Sequence, residues 1–167
     1  MEDIEIHSQF PGISAVLSNL HRKPFLMKGT AFESIEGFLQ GMRVKDVAVQ
    51  KSIFLKHGID AKKVGRLYPI KNQTLYWKGV PLNRHSDQYK VLCRNAFECC
   101  FAQNHDFRLA LAKSIGYNLV HSIGKNDPFD TILTNDEFLG NLNYLRDKYS
   151  TVLNDLLKLE KLKHESF

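Results

Sequence analysis

The sequence predicts a mainly α-helical α+β protein with a small β-sheet near the N-terminus, and three observations carry that reading. Apolar residues recur at i, i+3, i+4 and i+7 through 35–42, 89–101 and 138–159, the spacing that stacks side chains on one helical face. Near the start, Ile4 and Ile6 alternate with Glu5 and His7, the period-2 pattern of a half-buried strand. Glycine, proline and asparagine then separate the periodic stretches at short intervals. With 167 residues, 43% of them hydrophobic, the chain is long enough to bury a substantial core as one domain over residues 1–167.

Taken in order, the strand begun at Ile4 runs to Phe10 and is stopped by Pro11-Gly12, and Pro24 to Met27 reads as a second strand closed by Lys28-Gly29. Ser34 is placed to cap the helix that follows, with Glu33 or Thr30 as alternatives. Asp46 to Lys56 reads as a helix stopped by Gly58, and Asp60 to Gly65 as a shorter one opened by its aspartate. Leu67 to Arg84, holding Pro69, Gly79 and Pro81, reads as a long connection, a small hairpin around Trp77, or a lid. Ser86 to Gln103 is the clearest helix, with Tyr89, Leu92, Cys93, Ala96, Phe97, Cys100 and Phe101 on one face. Asn104 or Asp106 opens the next, which Gly116 ends. A short element starts at Asn118, and Ser122 to Asp130 is a loop. A last long helix runs from Thr134, Asn135 or Asp136 past Leu159, with cations near its C-terminus where the helix dipole favours them.

Composition narrows the function classes. No apolar run approaches the roughly 20 residues that a membrane-spanning helix needs, so no membrane role is expected. The acidic start Met1-Glu2-Asp3-Ile4-Glu5 lacks the basic and apolar parts of a secretory signal, and a cytoplasmic location is the expectation. Cys93, Cys99 and Cys100 are odd in number and lack zinc spacing, so neither a disulfide nor a metal is expected. Cys93 and Cys100 fall seven apart, where buried thiols serve as small apolar groups. The net charge of +5 suits a phosphorylated or polyanionic partner.

Chemistry concentrates in Ala31 to Arg43. Beside the apolar stripe of Ile35, Phe38, Leu39 and Met42, the residues Glu36, Gln40 and Arg43 recur at i, i+4 and i+7. A polar stripe adjacent to the core-facing one is half buried. Desolvation there raises a carboxyl pKa while a neighbouring arginine lowers it, which makes Glu36 a candidate tuned acid or base. An ordinary boundary helix, with Gln40 simply bonded to Glu36, has the same pattern.

Several segments resemble one family in order and spacing: Ser18-Asn19-Leu20; Phe32-Glu33-Ser34-Ile35-Glu36 to Gln40; Ala61 to Arg66; Cys100-Phe101-Ala102-Gln103-Asn104 followed by Phe107 to Leu111; and Leu139-Gly140-Asn141-Leu142 to Arg146. From about Ser18 to Arg146 the chain resembles the NADAR (YbiA-like) family, whose name marks a proposed link to NAD and ADP-ribose. The resemblance implies a single, largely helical domain with a small sheet. It also implies an N-glycosidase that hydrolyses a ribose C1–N bond in an ADP-ribosylated nucleobase or a ribose-phosphate-bearing metabolite, with no cofactor.

Carried over, Glu36 takes the place of the catalytic glutamate, and Ser18 and Asn19 line the ribose side. Gln40, Arg43 and Arg66 lie near a phosphate or brace Glu36. Asp127 or Asp130 assists the departing base, and Phe129 replaces the family's aromatic segment as a ligand contact. The implied partner is an ADP-ribose-like or ribosylated small molecule, with ADP-ribosylated nucleic acid as a larger form. Two other readings stand beside it: a non-catalytic ADP-ribose or dinucleotide-binding module, and a small basic nucleic-acid-binding protein.

Overall fold

The structure, a computed structural model, describes residues 1–166. In chain order its elements begin with β1 (Asp3–Glu5), α1 (Ile13–Leu17), β2 (Phe25–Met27), β3 (Thr30–Phe32), α2 (Ile35–Gly41), α3 (Val47–Phe54) and α4 (Gly58–Gly65). They continue with β4 (Thr74–Trp77), β5 (Val80–Asn83), α5 (Asp87–Gln103), α6 (His105–Lys113), β6 (Asn118–Val120), α7 (Asn135–Lys148) and α8 (Ser150–Glu165). The α+β class is as the periodicity predicts, but the β-structure is three separate two-stranded ribbons rather than one sheet near the start. None of these helices is long and apolar enough to cross a membrane.

Two ribbons are hairpins of the same construction. β2 and β3 are joined by Lys28-Gly29, β4 and β5 by Lys78-Gly79, and in both turns the two central residues have positive φ. That is the type I′ geometry, whose twist matches the flanking strands. The stretch around Trp77 is therefore the hairpin among the three readings open for it. The third ribbon is long-range: β1 pairs in parallel with β6, in the register Asp3 to Asn118, Ile4 to Leu119 and Glu5 to Val120. The N-terminal strand is shorter than the alternation suggests, because after Ile6 the chain turns to bring Ser14 beneath it; Ser14 Oγ donates to the Glu5 carbonyl and accepts from His7 N.

Ser34 is the N-cap of α2, its hydroxyl accepting from Gly37 N at 2.8 Å and donating to the Lys56 carbonyl at 2.9 Å. The helix ends at Gly41, so Arg43 lies in the turn beyond it rather than within it. Its glycines let α3 approach. A Cβ on Gly37 would lie 2.9 Å from the Phe54 carbonyl oxygen, and one on Gly41 would enter the Phe54 ring. Asp46 caps α3 by accepting from Val49 N, but the helix stops at Phe54, and Gly58, at φ 61°, opens α4 instead of closing α3. Asp60 accordingly sits in the first turn of α4 and not at its cap.

The core is one contiguous cluster around α5, whose buried residues are the seven of the sequence stripe, Cys93 and Cys100 included. Ser86 caps this helix through Tyr89 N. At its other end Gln103 exchanges two 2.8 Å hydrogen bonds with the backbone of Leu26, and Asn104 donates to the Pro24 carbonyl, stapling α5 to β2. The long final helix is in fact two. The chain breaks at Tyr149 (φ −107°, ψ 24°), whose ring turns inward to stack on Phe101 at 4.6 Å. Leu145 and Leu153, eight residues apart, both reach the core, one on each of the two helices.

Candidate active site

The polar stripe of α2 faces a cleft of about 340 Å³. Ser18 and Asn19 form one edge, Lys62 of α4 and Arg66 at its C-cap another, His121 just after β6 a third, and the segment from Asp130 to Asn135 a further wall. Seven of the nine predicted site residues are brought together here: Ser18, Asn19, Glu36, Gln40, Arg43, Arg66 and Asp130. The other two stand outside the lining. Asp127 Oδ1 accepts from Phe129 N at 2.9 Å, an Asx turn that shapes the loop, and Phe129 is 65% exposed with its ring against His85 at 4.3 Å.

Glu36 is 6% exposed, and its backbone N–H donates to the Asn19 carbonyl, locking α2 to the Ser18–Leu20 turn. Burial pushes its carboxyl above the usual range; a 2.8 Å hydrogen bond from Gln40 Nε2 and the positive charges of Lys62, Arg43 and His121 pull the other way. Gly65 makes room for Gln40: a Cβ there would lie 2.6 Å from Gln40 Cδ. The stripe read from sequence is therefore a carboxylate with a fixed donor and cations around it.

Three of the buried side-chain atoms that have no hydrogen-bond partner among the described residues belong to this cleft: Asn19 Oδ1, Arg43 Nε and Asn135 Oδ1. Buried polar groups are nearly always satisfied, because leaving one unpaired costs about 1–3 kcal/mol. Two acceptors and a donor left unpaired in one cavity beside a buried carboxylate are features of a site prepared for a polar ligand.

The walls are held by side chains that sequence reasoning did not single out. Lys23, 2% exposed, donates through Nζ to the carbonyls of Val16 and Ser18 at 2.6 and 2.8 Å and lies over the Phe107 ring, fixing the turn that carries Asn19. Burial brings its pKa down to about 8. Arg84, 1% exposed, donates from Nη2 to Glu137 Oε1 at 2.6 Å and from Nε to the Thr131 carbonyl at 2.9 Å. Tyr89 Oη donates to the Ile132 carbonyl at 2.5 Å, and Thr134 with Glu137 forms a capping box at the start of α7. Burial alone would raise the Glu137 carboxyl, but the Arg84 hydrogen bond, the Thr134 hydrogen bonds and the Arg84 charge together bring it below its ordinary value.

The fold and cleft can be set against known proteins. The family model for bacteriophage protein GP30.3 matches residues 11–147 of the chain. The chain belongs to the GP30.3 family. A relative described as an uncharacterized 17.1 kDa protein in the Gp30–rIII intergenic region of Enterobacteria phage T4 is 45% identical over 150 residues, 88% of this chain and 99% of that one. The GP30.3 fold is also similar to the NMR structure of the E. coli protein YbiA, with a TM-score of 0.53 and 19% identity over 98% of this chain and 89% of that one. At that identity the likeness is one of fold, and it agrees with the architecture that the NADAR-like segments imply.

Of the lining residues that the sequence did not flag for this GP30.3-family cleft, Lys62 falls inside the segment Ala61 to Arg66 with no role attached, and Asn135 at a candidate helix-cap position. His121 had no local signal at all. Its position is set by the pairing of β6 with β1, more than a hundred residues away in sequence.

Proposed function

We propose that this protein is an N-glycosidase that hydrolyses a ribose C1–N bond in an ADP-ribosylated nucleobase or a ribose-phosphate-bearing metabolite, with Glu36 as its catalytic carboxylate. The observation that carries this reading is Glu36 itself, buried on the cleft wall with its carboxyl raised and braced by Gln40. Structural carboxylates are ordinarily ion-paired or solvated; among the described residues Glu36 makes no ion pair within 4.0 Å.

Cleaving a ribosyl C–N bond builds positive charge on the sugar in an oxocarbenium-like transition state. A carboxylate held against C1 stabilises that charge, more strongly in a partly desolvated cleft than in water, and accepts the proton of the attacking water. Its raised pKa makes it the better base. The unpaired oxygens of Asn19 and Asn135 suit the hydroxyl and N–H donors of a ribosylated base, and Arg43, Lys62 and Arg66 suit its phosphates. Asp130, which also lines the cleft, is the carboxyl offered for assisting the departing base.

The test is a panel of ADP-ribosylated nucleobases, NAD and ribosylaminopyrimidines, assayed for release of free base by wild type and Glu36→Gln. The variant should fold and lose on the order of 10²–10⁴ in rate. Equal rates in the two proteins sink the role of Glu36. Tight calorimetric binding of ADP-ribose with no turnover by wild type across the panel would instead make the protein a binding module.

A further inference from the structure

His121 reaches the cleft by a route unlike that of any other lining residue. β1 and β6 pair in parallel, Ile6 N continues the ladder to the Val120 carbonyl at 2.8 Å, and the next carbonyl, that of Ile6, lies 2.9 Å from His121 Nδ1. A carbonyl oxygen only accepts, so Nδ1 is the donor of this bond and Nε2 is the nitrogen it leaves over. The ring is fixed on its other sides too. Phe138 meets it edge to face at 5.2 Å, and Gly124 closes so tightly over Cδ2 that a Cβ there would lie 2.8 Å from it. Nε2 has no hydrogen-bond partner among the described residues, although the ring lines the cleft and its charge bears on the Glu36 carboxyl.

An imidazole anchored through one nitrogen, with the other free in the same cleft as a buried carboxylate, can act as the acid to that carboxylate's base. We propose that His121 is a further catalytic residue of the reaction assigned above, on which this inference rests, and that its Nε2–H protonates the departing nitrogen. The C1–N bond breaks with its electron pair passing to that nitrogen, which takes the Nε2 proton. Water oxygen bonds to C1 and gives its proton to Glu36, and that proton returns to Nε2 through solvent before the next turnover. The fixed Nδ1–H…O=C bond keeps Nε2 aimed while its charge changes, a positioning that a surface histidine lacks.

The inference makes a claim about leaving groups that a structural role would not make. Nicotinamide leaves NAD as a neutral molecule from a cation and needs no proton, whereas a neutral purine or pyrimidine must be protonated to leave well. His121→Asn keeps a donor near the Nδ1 position for the Ile6 carbonyl and removes Nε2. It should lose on the order of 10²-fold or more on an ADP-ribosylated neutral base and less than about tenfold on NAD. His121→Gln gives the same contrast, so a folding defect in one variant does not decide the matter. Wild-type turnover with equal losses on both substrates overturns the assignment and leaves the hydrolase reading standing. The contrast appearing in Asp130→Asn and not in the His121 variants moves the role to Asp130. No turnover of any substrate by wild type overturns the hydrolase reading and this assignment with it.

Discussion

Gln40 Nε2 reaches Glu36 Oε1 at 2.8 Å across one turn of α2 because residue 65, on the facing helix, has no side chain. The glycine at the end of α4 thus shapes a carboxylate on α2 through an intermediary. A methyl at 65 collides with the far end of a flexible side chain, which can swing away, so the fold should survive; losing the hydrogen bond removes the first influence opposing desolvation. Gly65→Ala should change stability by less than about 1 kcal/mol while moving the Glu36 titration further upward. Carbon-detected NMR of the carboxyl resonance against pH reads both states, and an unmoved titration would show that Gln40 does not tune Glu36.

The cleft wall from Asp130 to Asn135 hangs on one buried cation. Arg84 carries its charge at 1% exposure, matched by Glu137 and by the Thr131 carbonyl. Removing Glu137 leaves that charge buried and half paired and deletes the capping box of α7, whereas removing Arg84 leaves a carboxylate that is still partly solvated. Glu137→Ala should therefore cost about 3 kcal/mol or more, and Arg84→Met less. The Glu137 carboxyl is held below its ordinary value, so its stabilisation is present at neutral pH and is lost as pH falls through that lowered pKa. Urea unfolding of the two variants ranks them, and the reverse order would show that the pair's worth lies in the arginine's packing on Tyr89.

How much of this was legible in the sequence depends on how far each feature's cause lies along the chain. The α5 stripe, the Ser34 cap and the Glu36–Gln40 turn are set by residues within four positions of one another, and periodicity finds them. The two Lys-Gly hairpins are local as well, although the sequence reads the first only as a strand closed by a turn, without the returning strand Thr30–Phe32, and the second only as one of three alternatives. The parallel β1–β6 pairing, and with it His121, depends on a contact that no window of sequence contains. The break at Tyr149 was invisible because an aromatic at that position suits a continuous stripe; only the Phe101 ring opposite it decides where the side chain goes. Some motif residues turn out to serve the fold: Arg146 donates to the carbonyls of Ser114 and Tyr117 at the end of α6, and Gln103 and Asn104 staple α5 to β2.

Lys23 is the clearest test of electrostatics away from the chemistry. Its ammonium is buried with two carbonyls and a phenyl ring for company and, among the described residues, no carboxylate within ion-pair distance, and its pKa falls to about 8. In the unfolded chain a lysine titrates near 10.4. Between these values the unfolded state binds more protons than the folded one, so folding stability rises with pH through that window; below it, both states are charged and the full cost of burying the ammonium is felt. Lys23→Met has no such group, and the other titrations that its charge touches, His21 lowered from its ordinary value and Cys100 pushed up to about 12, lie outside that window. The stability of wild type relative to Lys23→Met should therefore rise by on the order of 2–3 kcal/mol between about pH 7.5 and 10.5. Denaturant unfolding of both proteins across that range measures the difference, and a flat difference would mean that Lys23 keeps its ordinary pKa through water reaching the Val16 and Ser18 carbonyls.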